Sequence, residues 1–193
     1  LAKNENYWGE EPSVDTCVIH IIPDASTQNL MYQNGELDII DLDFQDASIV
    51  SSTYETRYAD NIVSGKRLAL TYMNMNAKSD YLSDPVVRHA IQMAVDRQAI
   101  LDSVYGGKGH LENSIVPEGV LGHNDNATEI VYDPDGAKKL LEDAGYKDGE
   151  ITFEMGYDSS ASANNQMVCQ IIQQQLAAVG INMEIKTYDQ SSW

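Results

Sequence analysis

The feature that most constrains this 193-residue chain is a hydrophobic period that switches between two and about 3.6 along its length, with short links between the switches. Ile151–Tyr157 reads as a strand. Ser162–Val179 reads as a helix with Met167, Val168, Ile171, Ile172, Leu176 and Val179 on one face, ended by Gly180, and Ile181–Tyr188 alternates cleanly as a strand. The first half repeats the order. Val14–Ile22 is β-branched and partly alternating, Pro23-Asp24-Ala25-Ser26 gives a turn and an N-cap, and Thr27–Gln33 is a short helix closed by Asn34-Gly35. Leu37–Leu42 predicts a strand, Gln45–Thr56 a helix weakened by Ser51, Ser52 and Thr53, and Arg67–Met75 a third alternating strand. This alternation predicts an α/β fold: a mixed sheet of about five strands with helices on both faces, in one domain spanning residues 1–193.

The clearest helix is Pro85–Tyr105. Ser83-Asp84-Pro85 supplies a cap and a first-turn proline, Gly106-Gly107 ends it, and Val87, Ala90, Ile91, Ala94, Val95, Ile100, Leu101 and Val104 form one apolar stripe. Gly106–Val131 is a long irregular stretch, a length that marks a functional loop or one laid tightly on the surface. Asp133-Pro134 caps a further helix that runs to Ala144 and stops at Gly145.

Charge and motif content exclude several function classes. Twelve Lys and Arg against 30 Asp and Glu give a formal charge of −18, which opposes phosphate backbones and anionic lipid surfaces. His20, His89, His110 and His123 lie far apart in the sequence, without a His or Cys partner at ligand spacing. Gly106-Gly107-Lys108-Gly109 follows a helix and lacks the Lys-Ser/Thr ending of a phosphate loop. Asp125 and Asp133-Pro134-Asp135-Gly136 hold only fragments of a calcium loop, and Asp133 serves better as a helix cap. No Gly-x-Ser-x-Gly elbow is present, so neither a catalytic residue, a metal nor a cofactor is expected. Cys17, in a strand, and Cys169, on an apolar helix face, read as two buried free thiols. The chain opens Leu1-Ala2-Lys3-Asn4 without an initiator Met and is expected to be a processed or excised piece of a longer protein.

Four blocks together resemble one family, the extracellular solute-binding proteins of family 5, which serve ABC importers of oligopeptides, dipeptides and, in some members, nickel, haem or sugars. Asn4-Glu5-Asn6-Tyr7-Trp8-Gly9 is similar to the family's Arg-Asn-Pro-x-Tyr-Trp segment, with Lys3 and Glu5 departing from it. Gly35-Glu36-Leu37-Asp38-Ile39 is similar to its Gly-Glu-x-Asp element. The stretch from Tyr72-Met73-Asn74-Met75-Asn76 through Asp84-Pro85-Val86-Val87-Arg88-His89-Ala90 to Asp96-Arg97-Gln98-Ala99-Ile100 resembles its Phe-Asn … Val-Arg … Asp-Arg signature. Tyr132-Asp133-Pro134-Asp135 through Ala144-Gly145-Tyr146 matches a further block. The resemblance implies one lobe of a two-lobe, type II periplasmic-binding-protein-like architecture, the lobe often called domain III, with residues 1–12 as a lead-in and hinge segment. It also implies that the family's acidic anchor for a peptide amine lies beyond Trp193.

The implied function is the substrate-binding component of an ABC importer that takes peptides or a related small solute in a cleft between lobes and docks on permease subunits. The implied place is extracytoplasmic, periplasmic or lipid-anchored at the outer face of the cytoplasmic membrane. The alternative is the ligand-sensing domain of a transcription regulator built on the same lobe. In α/β sheets ligands sit outside the carboxyl ends of strands, so the residues just past strands are candidate ligand contacts: Asp43, Gln45, Tyr72, Asn74, Asn76, Tyr157, Asp158 and Tyr188. Asp84, Arg88, Asp96, Arg97 and Asp133 read instead as helix caps and ion pairs within the lobe.

Overall fold

The computed structural model describes residues 1–42, 49–65, 67–158 and 163–189. The chain forms two compact units, residues 1–62 and 63–193.

In the first unit Asp24 starts helix α1 (Ala25–Gln33) by accepting Thr27 N–H at 2.7 Å and the Thr27 hydroxyl at 2.6 Å. Past its end the chain reverses through Gly35 at φ 76°, and Glu36 N–H returns to the Met31 carbonyl. Val50–Tyr54 forms a π-type turn that runs into the single helical turn Glu55–Arg57, which is the described part of the helix expected over Gln45–Thr56. Tyr54, buried to 2% exposure, meets the rings of Tyr32 and Tyr58 at centroid distances of 5.7 Å each and is tied by its hydroxyl to Asn29. Tyrosines therefore do the work of a core here, because the unit has few buried aliphatic side chains to do it.

The second unit carries helices α2 (Pro85–Ala94), α3 (Arg97–Tyr105), α4 (Pro134–Asp143) and α5 (Ala163–Ala178), and strands β1 (Ile151–Asp158) and β2 (Ile181–Tyr188). The strands are parallel, paired Ile151 with Ile181 through Asp158 with Tyr188, and α5 makes the crossover between them. Ile151, Phe153, Met155 and Ile181, Met183, Ile185 face a core shared with Val87, Ala90, Ile91 and Ala94 of α2, Ala137 and Leu141 of α4, and Ile172 and Leu176 of α5. Thr152, Glu154, Asn182 and Glu184 on the alternate face are exposed.

The fold class is α/β as expected, while the finer detail of the sheet is met only in part among the described residues. Two strands occur among the described residues where about five were expected, they are parallel rather than mixed, and helices cover one face of the sheet rather than both. Val14–Ile22 meets the N-terminal segment through an isolated antiparallel bridge of Thr16 with Ala2, while Leu37–Leu42 and Arg67–Met75 form no ladder among the described residues. A helix satisfies its backbone within its own segment, but a strand needs a neighbour. These segments have strand composition and no neighbouring ladder among the described residues, so they run extended. Cys169 is buried, but Cys17 is exposed because the segment around it is not sheeted over.

The expected single helix Pro85–Tyr105 is two helices. Val95 and Asp96 leave helical geometry, and Asp96 caps α3 by accepting Ala99 N–H at 2.9 Å. The break frees backbone groups that the apolar stripe conceals, and packing uses them. The Asp96 N–H donates to Gln175 Oε1 of α5 at 3.1 Å, and the Met93 carbonyl accepts Asp133 N–H at 2.8 Å from the start of α4. The kink therefore fastens α2 and α3 to two other helices.

Asp84 caps α2 through Val86 N–H at 2.8 Å and also accepts the Tyr146 hydroxyl at 2.8 Å, from just beyond α4. The Val86 N–H first, then Tyr146, hold the Asp84 carboxyl below its ordinary range. A depressed carboxyl contributes stability that is present above its unfolded value of about 4 and is lost as pH falls through the folded value. Replacing Asp84 by Asn is expected to flatten the acid limb of a pH-dependent urea-unfolding series; an unchanged limb would show that the cap contributes nothing. Leu176, with no exposed surface, is expected to cost about 2–5 kcal/mol when replaced by Ala, read from urea unfolding, because the facing strands cannot close the void.

Candidate functional site

Parallel pairing with no stagger brings the carboxyl ends of β1 and β2 level. Tyr157 lies opposite Thr187, and Asp158 lies opposite Tyr188, so the three residues reach the same end of the sheet, Tyr157 in step with the core-facing positions and Asp158 and Tyr188 in step with the alternate face. Their environment grades outward: Tyr157 and Asp158 are half-buried, and Tyr188 is 37% exposed. A carboxylate accepts N–H groups, phenolic hydroxyls donate or accept, and the rings offer stacking surface. An edge of this chemistry suits polar, amide-bearing solutes, and among the described residues it holds no nucleophile paired with a base.

Tyr72, Asn74 and Asn76 lie on a separate extended segment. Met73 and Met75 pack against the core, so by alternation Tyr72, at 64% exposure, and the two asparagines turn outward. Asn76 is engaged locally: its side-chain oxygen accepts Lys78 N–H at 3.0 Å, and its carbonyl accepts Ser79 N–H at 3.1 Å. That makes it a turn former and leaves Tyr72 and Asn74 as the better-placed pair. Asp43 and Gln45 lie outside the described residues.

The charged residues of the signature are spent within the unit. Asp84, Asp96 and Asp133 are N-caps, Asp133 accepting Gly136 N–H at 2.8 Å. Arg88 acts on the Asp84 carboxyl through its charge, while the hydrogen bonds of the two arginines run to other acceptors. Arg88 donates to the carbonyls of Leu82 and Ser83 at 2.8 and 3.0 Å. Arg97 donates to the Glu112 and Ile130 carbonyls and to Asn113 Oδ1, so one guanidinium gathers both arms of the loop between α3 and α4. The carboxylates are occupied by helix N–H groups, and the flat guanidinium fork reaches several carbonyls at once. Burial pulls the Arg97 pKa down, and nearby Glu129 works against that pull.

The same loop holds a cluster that reading along the sequence passed over. His110 Nε2 lies 2.8 Å from Glu112 Oε1 and 3.9 Å from Glu118 Oε2, and His123 Nε2 lies 3.5 Å from Asp125 Oδ1. The available signal was five titratable side chains within sixteen positions of one stretch, rather than any ligand spacing. Among the described residues no group of three or more His, Cys, Asp or Glu side chains is arranged to hold a metal ion.

Residues 1–193 match the family model described as bacterial extracellular solute-binding proteins, family 5 middle. The chain is 29% identical over 187 residues to the dipeptide-binding protein of Escherichia coli K12, covering 96% of this chain and 34% of that protein. It is 31% identical over 188 residues to heme-binding protein A of Haemophilus influenzae, again covering 96% of this chain and 34% of that one. Among solved structures, the periplasmic binding protein DppA of Helicobacter pylori in complex with peptide STSA superposes with a TM-score of 0.73 at 28% identity, covering 98% of this chain and 36% of that chain. The chain thus spans about a third of the length of the curated relatives it matches.

Arg97→Ala is expected to release the loop, giving rapid cleavage between residues 106 and 131 in limited proteolysis while the α2–α5 core stays resistant. Arg97→Lys is expected to fail as a rescue, because an ammonium cannot reach three divergent acceptors in one plane. Unchanged cleavage in both variants would show that the loop is held by other contacts.

Proposed function

Since the chain belongs to family 5 of the bacterial extracellular solute-binding proteins, we propose that it is one lobe of the substrate-binding component of an ABC importer and that the solute carried is a peptide. The observation that carries this is the level strand edge of Tyr157, Asp158 and Tyr188, an array of donors, acceptors and rings that engages peptide backbone without requiring one side-chain sequence. The E. coli relative is a dipeptide-binding protein, and the H. pylori structure holds a peptide, which supports peptide over the other solute classes.

The mechanism is non-covalent. A second lobe, supplied by the longer protein, meets this edge across the cleft, and solute favours the closed form only to the extent that it contacts that form better than the open one. Tyr157 and Tyr188 supply hydroxyls and ring faces, Asp158 accepts N–H groups, and Tyr72 and Asn74 extend the surface. The closed form docks on permease subunits. No residue forms or breaks a bond to the solute, so the protein is not an enzyme in this reading. Its place is extracytoplasmic, in keeping with the family's extracellular description, as a periplasmic or lipid-anchored protein. No helix of the described residues is long and apolar enough to cross a membrane.

Isothermal titration of the full-length protein with a panel of di- and tripeptides is expected to give saturable one-to-one binding, weakened about tenfold by Tyr157→Ala or Tyr188→Ala, a loss of about 1.4 kcal/mol. Binding of haem with no peptide bound would overturn the solute, and unchanged affinity in both variants would overturn the site. The 193-residue chain alone is expected to bind the same peptides about a hundredfold or more weakly, since one jaw loses the second set of contacts.

A further inference from the structure

The irregular stretch between α3 and α4 is too long to be a mere connection, and its side chains form a network apart from the residues proposed above to contact solute. We infer that this loop carries a proton-operated clasp centred on His123, complete only when the imidazole is charged. The inference is independent of which solute the protein carries.

The geometry assigns the protons. His123 Nδ1 lies 2.7 Å from the Val116 carbonyl oxygen. A carbonyl only accepts, so Nδ1 bears the hydrogen. The other nitrogen, Nε2, faces Asp125 Oδ1 at 3.5 Å. In the neutral ring with hydrogen on Nδ1, Nε2 would turn a lone pair toward that carboxylate. A second proton converts this repulsion into a charge-assisted contact, so both flanks of the ring are satisfied by imidazolium and by neither neutral tautomer.

His110 belongs to the setting of His123: its Nε2 faces Glu112 Oε1 at 2.8 Å and Glu118 Oε2 at 3.9 Å.

Glu112 links the pieces. Its side chain, 11% exposed, accepts Glu118 N–H at 3.1 Å as well as His110. Its own carbonyl is taken by Arg97, whose charge is balanced by Glu129. The charged groups acting on His123 are Glu112, Asp125 and Glu118, all acidic. The clasp from Val116 to His123 closes over the turn at Pro117–Val120, where Val120 N–H meets the Pro117 carbonyl at 3.2 Å and His123 N–H meets the Val120 carbonyl at 3.1 Å. Leu121, 101% exposed, rides on that turn. Clasp closure fixes where this apolar tip points.

The direction with pH follows. The Val116 carbonyl first, then the surrounding carboxylates, hold the His123 pKa above its ordinary value. A raised group contributes its full stabilisation below its unfolded value of about 6.5 and loses it as pH rises through the folded value. The Glu118 N–H first, then His110, hold Glu112 below its ordinary range, so its contribution is present above about pH 4.3 and is lost as pH falls through its folded value. The clasp is tight between the unfolded values of about 4.3 for Glu112 and about 6.5 for His123, and it slackens as pH rises through the folded value of His123. Asp125 is exposed, so salt weakens the device.

The test uses the full-length protein labelled in its histidines and backbone amides. Amide exchange over pH 5 to 8, corrected for intrinsic rates, is expected to show protection of residues 116–123 falling about threefold to tenfold as pH rises, in step with a His123 titration centred above 6.5. His123→Gln, which keeps a donor for Val116 without a titrating charge, is expected to flatten that profile, and Asp125→Asn to shallow it. Protection in the wild type that is flat across the range overturns the inference, as does the same slope in His123→Gln. Should either variant fold poorly, the wild-type profile and the His123 midpoint decide between the outcomes on their own.

Discussion

The second unit depends on how near α2 and α4 come to each other. Ala90, Ala94 and Ala137 have no exposed surface, and residues this small let helix backbones approach until neighbouring Ile91, Val87 and Leu141 interlock. Everything else is referred to that pair. The strands lay Ile151, Phe153, Ile181 and Met183 on the same core, α5 covers it with Ile172 and Leu176, and the Asp133 N–H reaches back into the kink after α2. The contact admits no larger side chain without parting the helices, which gives a physical reason for alanines at these positions.

What could be read from the sequence divides along one line. β2 runs over the expected Ile181–Tyr188, α5 and α4 lie within a residue of expectation, and Asp84, Asp96 and Asp133 carry the N-cap side-chain bonds. Each of those is settled by local chemistry: a period, a short polar cap, a terminating glycine. The segments Val14–Ile22, Leu37–Leu42 and Arg67–Met75 show the limit, because β-branched composition describes readiness to pair and says nothing about where the pairing strand lies. The arginines show it again. Their acceptors are main-chain carbonyls, and every residue has one, so no letter in the sequence marks Leu82, Ser83, Glu112 or Ile130 as the destination. The break at Val95-Asp96 was open to notice, since Asp is a poor helix interior and a good cap, but the apolar stripe running through it was the stronger signal.

The strand-edge reading draws on both sides of that line. Tyr157, Asp158 and Tyr188 were legible as residues following strand patterns; their level alignment comes from the parallel register, a property of two segments together. The His110–Glu112–His123 network lay below any motif search because its members are brought together by loop turns and by the grip of Arg97 rather than by sequence spacing.

The extended segments have a practical corollary. Ile21 at 93% and Ile39 at 86% exposure sit on backbone ready to accept a ladder, the situation in which one chain templates another. What restrains such filament-like self-association is Coulombic: eighteen net negative charges keep copies apart. Ionic strength is thus the colloidal control on this polypeptide by itself, and a buffer chosen to quiet its surface charge also removes the barrier between sticky edges.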